Sequence, residues 1–103
     1  MAQFDVFENP NRAARSTFPY VVVIQSDVSE NRRTSIVAPI APAAKAQASD
    51  RAILPVEIHG APYAVILHGL AALPLPPRAK PMAALPDIRE CLPRAIDYLF
   101  LGL

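Results

Sequence analysis

The chain has 103 residues, 52% of them hydrophobic and 18% charged, with a net charge of +1 at pH 7 and a mean hydropathy of +0.24. That length holds one domain, residues 1–103, and the apolar load exceeds what so small a sphere can bury, so part of it faces outward or into a partner. Near-neutrality argues against the basic field of a duplex-DNA binder. The single Cys91 leaves no disulfide framework or cysteine metal cluster, and without a leader-like or membrane-spanning run the expected setting is the cytoplasm, with no membrane partner.

Twelve prolines against three glycines set the punctuation, because proline lacks an amide donor and fixes φ. Gln3 to Glu8 alternates apolar and polar residues and is expected to be a strand closed by the turn Asn9-Pro10-Asn11. Tyr20 to Ile24 is a continuous β-branched run, read as a strand covered on both faces. A turn at Ser26 to Asn31 leads to a strand at Thr34 to Ala38, cut by Pro39. Ala41 to Ala48 reads as a loop or short helical turn. Ile53 to His59 and Tyr63 to His68 form an expected hairpin about Gly60-Ala61-Pro62, and Leu70 to Leu73 one more short strand.

The five prolines between Leu73 and Pro86 predict extended, polyproline-like chain. Asp87 is then placed to cap a C-terminal helix whose apolar face is Ile88, Leu92, Ala95, Ile96 and Leu99. Pro93, inside that pattern, is expected to kink the helix or reset its start.

No phosphate loop, zinc-helix motif or carboxylate pair is present, so neither a catalytic set, a metal nor a cofactor is expected. His59 and His68 read as exposed or core-edge residues, and Cys91 as a buried small residue. Arg12/Arg15 and Arg32/Arg33 form loop clusters, either solvated or suited to a phosphate or acidic-peptide contact. The chain ends Tyr98-Leu99-Phe100-Leu101-Gly102-Leu103. So many apolar groups at a terminus either fold back onto the core or form an exposed binding patch.

The order of the motifs resembles the CcdB toxin family. Gln3-Phe4-Asp5-Val6-Phe7 is similar to the family's Gln-Phe-x-Val-Tyr opening, and Val23-Ile24-Gln25-Ser26-Asp27 to its Val-Gln-Ser-Asp. Arg32-Arg33 followed by Ile36 to Ile40, and Leu54-Pro55-Val56, resemble Arg-Arg…Val-Ile-Pro-Leu and Tyr-Pro-Val. Ala95 to Leu103 resembles Ala-Ile-Asn-Leu-Met-Phe-Trp-Gly-Ile. The resemblance implies a mainly β fold: a small SH3-like barrel of the CcdB/MazF-Kid type, with a second short sheet and one C-terminal α-helix. It implies a non-enzymatic homodimer that poisons the A subunit of DNA gyrase. A CcdA-like antitoxin would neutralise it, and operator DNA would be reached only through that antitoxin, to co-repress the operon.

The family's gyrase-facing surface carries over to Val28, Ser29, Asp97, Phe100, Leu101, Gly102 and Leu103. Leu101 stands where the family has tryptophan, Ser29 where it has an apolar residue, and Asp97 where it has asparagine. The leucine forfeits a cation–π contribution of about 0.5–2 kcal/mol to a target arginine. Two alternatives use the same fold: a MazF-like endoribonuclease built on Arg15, Thr17 and Arg32/Arg33, and a non-toxic module that binds an antitoxin-like peptide.

Overall fold

A computed structural model describes residues 2–26, 34–46, 50–75 and 79–102. Its strands are β1 (Asp5–Glu8), β2 (Tyr20–Val23), β3 (Ser35–Pro42), β4 (Ile53–Ile58), β5 (Ala61–Ile66), β6 (Ala71–Leu73) and β7 (Ala83–Ala84), followed by helix α1 (Ile88–Leu101). All the strand pairs are antiparallel, in the order β4-β5-β3-β2-β1-β7. β3 carries β6 on Ser35–Val37 and β5 on Ile40–Pro42. The short second sheet is thus a branch of the barrel sheet, hinged on one long strand. A curled antiparallel sheet with one C-terminal helix is an SH3-like barrel with a helix.

The main core lies between the concave face and α1. Phe4, Val6, Val22, Ile40, Leu54, Val65 and Leu67 from the sheet side meet Ile88, Leu92 and Ala95 of the helix. Val21 and Val23 point the other way, into a smaller cluster with Phe7, Val37 and Leu75. β2 is therefore buried on both faces, as its unbroken valine run requires.

Pro39 does not end β3. Ile24 N–H donates to Ile36 O, so by the period of two Val21/Pro39 is a non-hydrogen-bonded pair across β2 and β3. The Pro39 nitrogen then faces the opposite edge, between the last residue paired to β6 and the first paired to β5, where no ladder bond is lost. Gly69 covers the ring: a Cβ there would lie 2.6 Å from Pro39 Cγ. The Ala41 to Ala48 segment correspondingly splits, with Ala41 and Pro42 completing β3 and Ala43–Lys45 forming a 3-10 turn.

The β4–β5 hairpin turns at His59-Gly60 rather than at Gly60-Ala61-Pro62. Both residues have positive φ, 50° and 80°, the signature of a two-residue primed turn that matches strand twist. The proline-rich stretch is more than a connector: Leu75 enters the small cluster, and Ala83–Ala84 pair with β1. Helix α1 runs from Ile88 through Leu101 with Pro93 inside, so Pro93 neither resets its start nor interrupts it. Asp87 occupies the N-cap position, but its side chain makes no capping hydrogen bond. Of the turn expected at Ser26 to Asn31, all but Ser26 lies outside the described residues.

Candidate binding surface at the C-terminal helix

The inner side of α1 fixes its outer side. Ile88, Leu92 and Ala95 are buried, and Ile96 and Leu99 are half-buried against the same core. At about 100° per residue, Asp97 and Leu101 fall on the opposite face and Phe100 on its flank, next to Ile96. They stand at i, i+3 and i+4, so their side chains are neighbours on one patch. Phe100 and Leu101 are each 66% exposed and Asp97 is exposed. Gly102 ends the helix in the left-handed region at φ 72°, its N–H donating to Tyr98 O at 3.1 Å. Glycine suits that position because the conformation carries no Cβ penalty there.

The tip of the patch is negative, with exposed Arg94 one turn earlier at i−3 from Asp97. The last turn of α1 carries no basic residue, so its free carbonyls and the Asp97 carboxylate together present negative potential beside two large apolar groups. A surface of this kind fits an apolar hollow rimmed by a cation.

Neighbouring segments brace the patch. The Arg51 guanidinium lies 5.8 Å from the centre of the Tyr98 ring, within cation–π range. The adjacent Asp50 is held twice, accepting from Ala52 N–H at 2.8 Å and pairing with His68 Nε2 at 2.8 Å. The hydrogen bond from Ala52 N–H, and then that from His68, hold the Asp50 carboxyl below its ordinary range. Sequence reading had no signal for this brace, since Asp50, Arg51 and His68 meet only through the β4–β5 pairing.

Of the seven residues carried over from the resemblance, Asp97, Phe100, Leu101 and Gly102 come together at the end of α1. Val28, Ser29 and Leu103 lie outside the described residues. Arg15, put forward for phosphate chemistry, is engaged locally. Its Nε donates to Asn9 O at 2.6 Å and its guanidinium pairs with Glu8 at 2.9 Å. Arg12 opens a 3-10 turn, Arg12–Ala14, capped by Asn11, and Arg32/Arg33 lie outside the described residues. His59 and His68 are both exposed, with partners at Met82 O and Asp50.

Cys91 is a correction: it is exposed, not buried. Its flank of α1 faces an open cleft rather than the packed sheet. Tyr20 of β2 and Tyr63 of β5 meet edge-on at 5.5 Å. The Tyr63 hydrogen bond, with a lesser contribution from burial, pushes the Tyr20 hydroxyl above its ordinary range.

The fold is thus an SH3-like barrel whose C-terminal helix displays an apolar end tipped by Asp97. The chain matches the CcdB protein family over residues 3–102 and belongs to it, a family of toxins from toxin–antitoxin systems. No curated protein gives a significant match. Among the described residues, no helix is long and apolar enough to cross a membrane.

Proposed function

We propose that this protein is a toxin that acts by binding, not by catalysis, and that its target is the A subunit of DNA gyrase. The observation that carries this reading is the patch of Asp97, Phe100 and Leu101, exposed on a helix whose opposite face is locked into the core. The patch needs no rearrangement to meet a partner, so its binding energy is not spent on ordering. Phe100 is suited to anchor in an apolar pocket at the interface centre. Asp97 and the helix carbonyls complement a target arginine, electrostatically compensating for the missing tryptophan ring. Val28 and Ser29, which follow β2 in the sequence, with Gly102 and Leu103, are assigned to the same surface in this proposal.

The active species is a homodimer of about 22 kDa, twice the 11.1 kDa chain. Its formation is supported by apolar surface that one protomer leaves uncovered: Ile36 on β3 is 43% exposed beside exposed Ala71 and Ala72 on β6. Two copies would present two helix ends to a two-fold target, raising effective concentration without new contact types. A CcdA-like antitoxin neutralises the dimer and carries it to operator DNA for co-repression. The engagement of Arg15 with Glu8 and Asn9 favours this reading over a ribonuclease.

The experiment is co-elution of the purified protein with the purified A subunit of gyrase on a sizing column. A stable complex that Phe100→Ala disrupts is expected. Independent elution at micromolar concentrations of both proteins would reject gyrase as the target.

A further inference from the structure

The two ends of the sheet do not meet. β4 is the last strand at one end and β7 at the other, yet Pro55, Val56 and Glu57 of β4 and Ala84 of β7 line the same cleft of 570 Å³. The N-terminal turn of α1 forms the floor through Ile88, and Leu85 and Pro62 extend the apolar wall. One end is tied shut: His59 Nε2, in the hairpin turn, bonds Met82 O just before β7 at 3.0 Å. The cleft is therefore a barrel seam left open between two sheet edges.

Charge in the seam has one sign. Glu57 and Asp87 line it, and among the described residues no lysine or arginine does. Both carboxylates are exposed and make no hydrogen bond or ion pair among the described residues. Asp87 is available because it does not cap α1. The helix N-terminus contributes only about half a positive charge, so two carboxylates dominate the local field.

We propose that this seam is a docking site for an extended peptide segment of a partner protein, with apolar residues interrupted by lysine or arginine. An extended strand offers backbone groups to both free edges, the mode known as β-augmentation, while alternate side chains reach the apolar wall and the carboxylates. The site is separate from the tail. Ile88 and Leu101 are 13 residues apart along α1, roughly 20 Å at helical rise, so the seam and the proposed gyrase surface can be occupied together.

Cys91 lines the seam and is exposed, and it is the chain's only cysteine, which provides a footprint on the unaltered protein. The probes are acetylated, amidated Val-Arg-Val-Lys-Val and its counterpart Val-Glu-Val-Glu-Val. The basic peptide should bind in fluorescence anisotropy when labelled, and should slow alkylation of Cys91 by N-ethylmaleimide. The acidic peptide should do neither. Glu57→Gln and Asp87→Asn should each weaken binding about two- to fivefold, the range for an exposed ion pair. Equal binding of both peptides, equal protection by arginine amide alone, or no protection at millimolar basic peptide would overturn the proposal. Cys91 protection that rises with protein concentration in the absence of peptide would assign the seam to a second copy of the chain and overturn it as well.

Discussion

Replacing both Phe100 and Leu101 with alanine separates folding from target binding, because the structure assigns those side chains to opposite sides of the two accounts. Each is 66% exposed, so only about a third of either is covered by the protein itself. Full burial of such a side chain stabilises by about 1.5–3 kcal/mol, so the double variant should lose roughly 1–2 kcal/mol. Against the usual stability of about 5–15 kcal/mol, the variant stays folded. The melting temperature should fall by about 4–16 °C, with a cooperative transition retained. Binding should respond far more. A central interface anchor is worth about 2 kcal/mol or more, which is roughly 30-fold in affinity for each residue if they act independently. The assay pairs circular-dichroism melts with calorimetric titration into the A subunit of gyrase. Loss of the cooperative melt would show that the tail is core. A folded variant with undiminished affinity would show that the target meets another surface. Either result refutes the reasoning.

Three further outcomes test the fold itself. Gly69→Ala places a methyl group 2.6 Å from Pro39 Cγ and should cost about 1–3 kcal/mol in chemical denaturation; an unchanged midpoint would mean the turn moves freely off β3. Pro93→Ala supplies the amide that the middle of α1 lacks, and since Pro93 is exposed it should raise stability by about 1 kcal/mol or more; a fall in melting temperature would mean the ring has an unrecognised packing role. Asp50 is held below its ordinary value of 3.8 chiefly by Ala52 N–H and then by His68. A depressed carboxylate stabilises above its unfolded value and loses that contribution as pH falls through its folded value. The melting-temperature gap between wild type and Asp50→Ala should therefore be full above pH 3.8 and shrink below it, and a constant gap would contradict the assignment.

What the sequence made legible was whatever depends on side-chain periodicity. The valine run of β2 and the three- and four-residue spacing from Ile88 to Leu99 each specify a burial pattern by themselves, and the apolar tail was visible as a surplus beyond that pattern. What it hid depends on neighbours distant in sequence. Pro39 is harmless only because β6 and β5 divide the far edge of β3 between them. Cys91 is exposed only because the sheet ends leave a seam beside it. His59 accepts a positive φ in a turn that the Gly-Ala-Pro signal starts one residue later. The bracing of Tyr98 by Arg51 required a chain path that no local pattern encodes. Family resemblance added an expected target and the residues expected to face it, and the geometry of α1 brings four of those residues into one surface.

The most direct measurement is accumulation of linear plasmid DNA when purified gyrase, supercoiled plasmid, ATP and this protein are incubated together and the reaction is stopped with detergent and protease. Trapping of gyrase on cleaved DNA predicts linear product that rises with protein concentration and disappears with the Phe100→Ala/Leu101→Ala variant. Normal supercoiling with no linear product, at concentrations where the wild-type protein is folded and in excess over gyrase, would contradict the account.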